Sequence, residues 1–240
     1  MARIYVQPKS IVLPGDVLAE GNDVIVDSIY IEREGNTYYA TIAGLVSVQQ
    51  LEDGKYKIGI IPLEGAYIPR PGDIVIGLVK DIGLTHWEVD IASPYKGILT
   101  VQEVLDRPFN PAVDSLERYL DVGDYIVAKV VAFDRARDPL LTIKGKGLGR
   151  VVEGSIVEIK PSRIPRVIGR KGSMVNMLMR ESGCEIVVGQ NGRILVNCPN
   201  KDLEEIVILS IKKIEAEAHT SGLTERVREF IRSERARRGV

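Results

Sequence analysis

Two glycines enclose two cations in the stretch Ile168-Gly169-Arg170-Lys171-Gly172-Ser173-Met174-Val175. A short apolar helix is predicted before it, from Arg163 to Ile168, and a second helix after it, from Ser173 to Ser182. Glycine lets the backbone approach a partner closely and adopt dihedral angles that a Cβ atom would block. The first turn of the second helix presents free N–H groups and the positive end of a dipole, which favours an anion. Because Arg170 and Lys171 add two full charges at this place, the stretch predicts a site for a nucleic-acid backbone.

The elements around this stretch occur in a specific order. Strands are predicted over Gly154–Ile159, Cys184–Gly189 and Gly192–Cys198, the last two joined by a tight turn. Apolar residues at a period of 3.6 predict a long helix from about Lys201; they are Leu203, Ile206, Val207, Ile211 and Ile214. Strand, helix, GxxG loop, helix, strand, strand and long helix is an order similar to that of type I KH domains, whose GxxG loop holds about four nucleotides. The resemblance implies an RNA clamp at Gly169, Arg170, Lys171 and Gly172, with Arg166 as an adjacent contact.

The middle of the chain predicts a small Greek-key barrel. Five strands are expected, over 72–79, 86–91, 96–101, 123–131 and 140–144, with an excursion between the third and fourth that includes a helical pattern from Val113 to Leu120. Trp87 shares a strand face with Val89 and Ile91, which predicts that it lies in the core. This segment resembles the S1 motif, an RNA-binding OB domain, at four places: Gly72-Asp73, Lys96-Gly97-Ile98-Leu99, Val122-Gly123-Asp124 and Leu141-Thr142-Ile143-Lys144.

The segment departs from the S1 pattern where that family carries a stacking platform of two aromatic residues and a histidine. Thr85, Glu88 and Thr100 occupy those places. Stacking contributes about 1–3 kcal/mol per base, so RNA contacts here are expected to be electrostatic. The resemblance and the charges make Lys96, Arg135 and Arg137 the predicted contacts.

The first segment predicts a small all-β domain. A long strand is expected over Thr37–Val48, and a hairpin across Asp53-Gly54 should place Val46 and Val48 opposite Tyr56, Ile58 and Ile60. No group of His, Cys or carboxylate residues suggests a catalytic or metal site. A docking or spacer domain is the interpretation, and a concealed active site is the alternative.

Two cysteines, Cys184 and Cys198, lie on neighbouring predicted strands. Two thiols in 240 residues indicate a reducing compartment. Two buried thiols are expected, with a cross-strand disulfide as the alternative; a metal site would need further ligands. We expect neither a metal nor another cofactor. His219 is expected to cap a helix end.

The charge is unevenly distributed although the net charge is only -1. Residues 151–240 hold 16 Lys and Arg against 12 Asp and Glu, whereas residues 1–150 hold 16 against 21. A basic C-terminal third suggests that nucleic acid meets selected surfaces. The arginine-rich tail after Leu223 predicts either a solvated helix with charge pairs or an arm that contacts phosphate or another subunit. No apolar run approaches ~18 residues, so an intracellular, soluble, cytoplasmic protein without membrane contact is expected.

The predicted fold is multidomain, mainly β and then α/β. An N-terminal β docking domain covers 1–69, an S1-type OB barrel covers 70–149, and a type I KH domain with a C-terminal helical extension covers 150–240. This order resembles the RNA-binding cap subunits of the archaeal exosome. The resemblance implies a non-catalytic protein on a hexameric ring of RNase PH-like subunits, beside other copies of itself or a related cap subunit. The ring degrades RNA from the 3′ end by phosphorolysis and also adds tails. Gly189, Asn191 and Gly192 match a second glycine motif of that family, for which a structural role is expected.

Two other functions remain open on the sequence alone. One is a free-standing S1/KH RNA-binding protein of ribosome assembly or translation control. The other is a phosphorolytic nuclease with its own S1 and KH domains, although ~69 residues before the barrel are too few for a catalytic domain.

Overall fold

The computed structural model describes residues 2–28, 30–105, 107, 109–110, 114–134, 136–218, 220 and 222–240. The chain divides into two compact units, Met1–Gly65 and Ala66–Val240. The second unit contains both the barrel and the KH domain, so these two are packed together. The multidomain β and then α/β fold class is confirmed.

The N-terminal unit consists of short strands. They are β1 (Arg3–Ile4), β2 (Ile11–Val12), β3 (Val17–Glu20), β4 (Val24–Val26), β5 (Ile31–Glu34), β6 (Thr37–Ala40), β7 (Gly44–Gln50) and β8 (Tyr56–Pro62). They form two sheets, in the orders β1-β3-β6-β5 and β2-β7-β8-β4. Leu18, Tyr38 and Ile58 are buried in the core between them.

The predicted hairpin is present, but the predicted long strand is divided. Val46 pairs with Ile60 and Val48 with Ile58, as the alternation of side chains required. The strand expected over Thr37–Val48 is wrong, because β6 belongs to one sheet and β7 to the other. The chain leaves the first sheet after Ala40, where the N–H of Thr41 donates to the carbonyl of Tyr30 at 2.9 Å.

The barrel is formed by β9 (Ile74–Ile82), β10 (His86–Asp90), β11 (Lys96–Thr100), β12 (Tyr125–Asp134) and β13 (Arg137–Thr142), and β14 (Gly149–Arg150) extends its sheet. The strands follow the order β13-β11-β10-β9-β12, and pairing of β12 with β13 closes the ring. Strand β13 runs parallel to β11 and antiparallel to β12. The predicted OB barrel is therefore confirmed.

Trp87 lies in the barrel core, as its strand face predicted. Its side chain is fully buried, and its indole N–H donates to the carbonyl of Leu120 at 2.9 Å. The helical pattern expected over Val113–Leu120 is only a 3₁₀ turn, Leu116–Arg118, in the part that is described, and Val113 lies outside the described residues. The carbonyl of Leu120 thus satisfies the polar N–H group of the buried indole.

The KH domain consists of β15 (Ser155–Glu158), α1 (Ile164–Ile168), α2 (Ser173–Ser182), β16 (Glu185–Val188), β17 (Arg193–Asn197), α3 (Lys201–Ala216) and α4 (Leu223–Arg238). The sheet order is β15-β17-β16, and the pairing is antiparallel. Apolar residues of the sheet and of all four helices form one core. Asn200 caps α3 by accepting from the N–H of Leu203 at 2.8 Å.

Cys184 and Cys198 are joined by a disulfide, so the expectation of two free thiols is wrong. Glu185 pairs with Asn197 across β16 and β17, which places the cysteines opposite one another at the next position. Their Cα atoms are 4.3 Å apart, the spacing of a close cross-strand pair. The cysteine pair therefore does not support the inference of a reducing compartment.

Candidate nucleic-acid interface

The GxxG loop is shaped by three positions with a left-handed backbone, two of them glycines. Gly169, Lys171 and Gly172 have φ angles of 73°, 52° and 79°. A Cβ atom at Gly169 would stand 2.7 Å from the backbone nitrogen of Met174, so only glycine fits there. The loop closes through the N–H of Gly172, which donates to the carbonyl of Gly169 at 3.3 Å. The chain thereby turns from α1 into the first turn of α2 within four residues.

The predicted cations of this loop are exposed. Arg166 lies on the outer side of α1, and Arg170 and Lys171 lie in the loop. In the described part of the chain, none of the three side chains forms an ion pair or a hydrogen bond. Helix α2 begins directly after the loop, so its free N–H groups and the positive end of its dipole lie beside these cations. This arrangement can bind the phosphates of a single strand without reading its bases. Binding by these residues stays a prediction.

Around β10 and β11, the three positions of the usual stacking platform carry no aromatic ring. Along β10 and β11, His86 lies opposite Thr100, Glu88 opposite Ile98, and Asp90 opposite Lys96. Thr85 is exposed just before β10. The three places of the usual stacking platform therefore hold polar, non-aromatic side chains on the surface, as the sequence indicated, and this face offers charges and hydroxyl groups.

The predicted barrel cations have different surroundings. Lys96 donates from Nζ to Glu88 at 2.6 Å, and this hydrogen bond raises the pKa of Lys96. Its backbone N–H donates to the carboxylate of Asp138, the residue after Arg137, at 3.3 Å. Arg137 is exposed at the start of β13, and Arg135 lies outside the described residues. Lys96 is therefore partly neutralised, whereas the side chain of Arg137 forms no ion pair or hydrogen bond with any described residue.

The turn with the second glycine motif binds the barrel. Asn191 is 1% exposed; its Oδ1 accepts from the N–H of Ile76 at 3.2 Å, and its Nδ2 donates to the carbonyls of Ile76 and Ile91 at 2.8 and 3.0 Å. A Cβ atom at Gly189 would stand 3.1 Å from the backbone nitrogen of Ile76, and one at Gly192 would stand 2.4 Å from the carbonyl oxygen of Ile159. Because its side chain is buried in this contact, Asn191 is not accessible to RNA.

Arg193, which the sequence did not single out, completes this contact. Its guanidinium donates to the carbonyl and the carboxylate of Asp90 at 2.7 and 2.8 Å, and to Glu158 at 2.8 Å. Burial would raise the pKa of Asp90, but the hydrogen bonds from Arg193 and from the N–H of Ala92 outweigh it and hold that pKa below its ordinary value. An arginine after a glycine turn gives no sequence signal of such burial, because the same pattern occurs on exposed hairpins.

Helix α4 uses its arginines within the KH domain. Arg232 donates to Glu181 at 3.0 and 3.2 Å, and this contact lowers the pKa of Glu181. Arg235 donates to the carbonyl of Glu181 at 2.6 Å, and Arg238 to Glu205 at 2.5 Å. The tail is thus a packed helix with charge pairs, which favours the first of the two sequence interpretations. His219, expected as a helix cap, lies outside the described residues.

Two features that other functions would need are not found within the described ranges. No three His, Cys, Asp or Glu side chains are grouped closely enough to hold a metal ion. Among the described helices, none has both the length and the apolar character needed to cross a lipid bilayer.

Comparisons with known proteins agree with this arrangement of domains. Residues 9–64 match the family model described as the exosome RNA binding protein RRP4 N-terminal domain, and residues 154–202 match a KH domain model. The chain is 50% identical to exosome complex component Rrp4 of Ignisphaera aggregans, over 96% of this chain and 92% of that protein. It is also 50% identical to the Aeropyrum pernix protein of the same name, over 96% of each chain. A crystal structure described as an exosome complex RNA-binding protein is 56% identical, with a TM-score of 0.69, over 72% of this chain and 99% of that one.

Proposed function

The chain belongs to the family of exosome complex component Rrp4, and on this premise we propose that it is the RNA-binding cap subunit of an archaeal exosome. The observation that carries the RNA-binding part is the GxxG loop, where three exposed cations without described partners surround the start of α2. Such a loop captures the sugar–phosphate backbone and tolerates any base sequence. Gly169, Arg170, Lys171 and Gly172 form the clamp in this proposal, and Arg166 extends it.

The barrel acts as the second contact. Lys96, Arg135 and Arg137 are the cations that we assign to it, and the lack of rings at the usual platform means that their interaction is mainly electrostatic. Because Asn191 and Arg193 fasten the KH domain to the barrel, a strand held at the GxxG loop has a defined direction relative to the barrel surface. The barrel then guides the captured strand instead of holding it tightly.

The N-terminal unit docks the protein on its partner. Ile11, Leu45 and Ile61 lie side by side across β2, β7 and β8. Ile11 and Ile61 are 63% and 59% exposed, and Leu13 and Leu63 next to them are also exposed. A contiguous apolar patch of this kind marks a protein-binding surface. We propose that it meets a hexameric ring of RNase PH-like subunits, beside other copies of this chain or a related cap subunit.

The cap itself is non-catalytic in this proposal and works in the cytoplasm. It brings RNA to a ring that degrades it from the 3′ end by phosphorolysis and adds tails in the reverse direction. The free-standing RNA-binding protein, the alternative raised by the sequence, would have no use for the apolar patch.

Purification of the tagged chain from its own cells tests the proposal. We expect RNase PH-like subunits to co-purify with the wild-type chain and to be lost with Ile61→Asp, which puts a charge in the patch. Glu52→Asp, a surface change in the loop between β7 and β8, serves as the control. A clean monomer from the wild-type preparation would support the free-standing alternative, and RNA degradation by the purified single chain would contradict the non-catalytic assignment.

A further inference from the structure

A cleft of about 220 Å³ lies at the end of the barrel where β10 turns into β11. Its walls include Lys80, Glu88, Asp90, Ser93, Tyr95 and Lys96. Thr85 and Thr100, two of the three positions that replace the usual stacking platform, do not line it. The cleft is smaller than the roughly 300–1,000 Å³ of pockets for drug-sized ligands. It therefore suits one flat ring system better than a stack of several.

Tyr95 forms the aromatic wall of this cleft, and neighbouring residues hold its ring in place. Its ring meets the ring of Phe133 edge to face, with centroids 4.8 Å apart and planes at 69°. Phe133 in turn packs against the barrel core. The backbone N–H of Tyr95 donates to Ser93 Oγ at 3.3 Å, which holds the loop before it. The ring is thus ordered before any ligand arrives, which lowers the entropy cost of stacking on it.

Charges of both signs surround the ring. Lys80 is exposed and, among the described residues, forms no ion pair, so it can meet a phosphate. Glu88 accepts from Lys96 through Oε2 at 2.6 Å, while its Oε1 has no hydrogen-bond partner in the described part of the chain. Asp90 uses Oδ1 for the N–H of Ala92 and Oδ2 for Arg193. Glu88 Oε1 is therefore the open acceptor of the cleft.

We propose that this cleft is a nucleobase subsite in which one base of the bound RNA stacks on Tyr95. Lys80 meets the adjoining phosphate, and Glu88 Oε1 accepts from the exocyclic amino group of the base. Adenine, cytosine and guanine carry such a group and uracil does not, so the subsite prefers the former three. The inference rests on the proposed RNA-binding function and extends it to a base contact that the barrel face otherwise lacks.

Binding of oligo(A) and oligo(U) of equal length to the full chain tests the subsite, with fluorescence anisotropy as the measurement. Tyr95→Leu keeps an apolar side chain against Phe133 but removes the ring, and Tyr95→Phe keeps the ring. We expect Tyr95→Leu to weaken oligo(A) binding about tenfold, as for loss of one stacked base, and Tyr95→Phe to bind like the wild type. Glu88→Gln should reduce the difference in affinity between oligo(A) and oligo(U).

Two outcomes overturn the subsite alone. One is unchanged RNA affinity in a folded Tyr95→Leu variant while Arg170→Ala/Lys171→Ala weakens binding; the cleft would then serve another partner or none. The other is a photo-crosslinking map of oligo(A) on the wild-type chain without adducts in residues 80–96, which decides the matter even if Tyr95→Leu fails to fold. A wild-type chain that binds neither oligonucleotide would instead refute the proposed RNA-binding function itself.

Discussion

The guanidinium of Arg193 on β17 donates to the carboxylate of Asp90 on β10 across 2.8 Å. The pair lies where the KH domain meets the barrel, and the same guanidinium also reaches the Asp90 carbonyl and Glu158. With the three hydrogen bonds of Asn191, this pair holds the GxxG loop and the barrel surface in one fixed arrangement. The relative position of the two proposed RNA contacts therefore depends on side chains that are buried at this junction.

Replacing Arg193 with alanine is expected to lower the free energy of unfolding by about 1–3 kcal/mol, because it removes buried charge-assisted hydrogen bonds. Urea unfolding measures the change. Arg180→Ala, at a side chain that is 71% exposed, is the matched control and should change it by less than about 0.5 kcal/mol. A double-mutant cycle with Asp90→Ala should give a coupling energy of about 0.5–3 kcal/mol; purely additive effects would show that the pair contributes nothing.

Acid is expected to weaken the same contact. The folded-state pKa of Asp90 is held below its ordinary value of 3.8, so its stabilising effect is fully present above about pH 4. That effect is lost as the pH falls below 3.8 through the lower folded-state pKa, because the protonated carboxyl no longer pairs with Arg193. Urea unfolding from pH 7 to pH 2 should show a steeper acid decline for the wild type than for Asp90→Asn. Parallel curves would contradict the assignment.

A negative charge in the GxxG loop is expected to weaken RNA binding. Gly172→Asp places a carboxylate among Arg166, Arg170 and Lys171, and we expect at least a tenfold loss of affinity in fluorescence anisotropy. Gly172→Asn is the matched control, because asparagine has nearly the same shape and the same tolerance of the left-handed φ of 79°. An equal loss in both variants would assign the effect to backbone strain and not to charge.

The salt dependence of RNA binding should report the phosphate contacts. Each contact to a single strand contributes about 0.7 to the slope of log affinity against log salt concentration. We expect Arg170→Ala/Lys171→Ala to reduce this slope by about 1.4. Replacing Arg232 and Arg235 with alanine should leave the slope unchanged, since Arg232 is paired with the carboxylate of Glu181 and Arg235 donates to its backbone carbonyl. An unchanged slope in the loop variant would exclude the clamp.

The disulfide between Cys184 and Cys198 is expected to stabilise the KH domain by about 3 kcal/mol, as for other loops of this size. Urea unfolding of the wild type with and without reductant measures it, and the double variant Cys184→Ser/Cys198→Ser should match the reduced protein. Mass spectrometry of non-reduced peptides checks the pairing directly. Free thiols in the purified native protein would contradict it.

Local patterns were sufficient for much of the fold. The period of 3.6 from Leu203 to Ile214 and the glycine-bracketed cations identified the KH domain, since helix faces and tight turns depend on nearby residues. The strand face of Trp87, Val89 and Ile91 predicted the barrel core for the same reason. The prediction of one strand over Thr37–Val48 was wrong because the alternation of side chains continues while the chain passes from one sheet to another. Strand pairing is a long-range property that this local pattern does not report.

The sequence by itself determined the order of the domains, the position of the GxxG loop with its two cations and the absence of rings at the usual barrel platform. Each of these depends on residue type and short spacing. Tertiary structure alone decided that Asn191 and Arg193 join the KH domain to the barrel, that Lys96 is paired with Glu88, and that Tyr95 stands in a cleft against Phe133. Those contacts join residues far apart in the chain, except for Lys96 and Glu88, whose contact depends on strand register. Folding, and not spacing along the chain, brings their side chains within hydrogen-bonding or van der Waals distance.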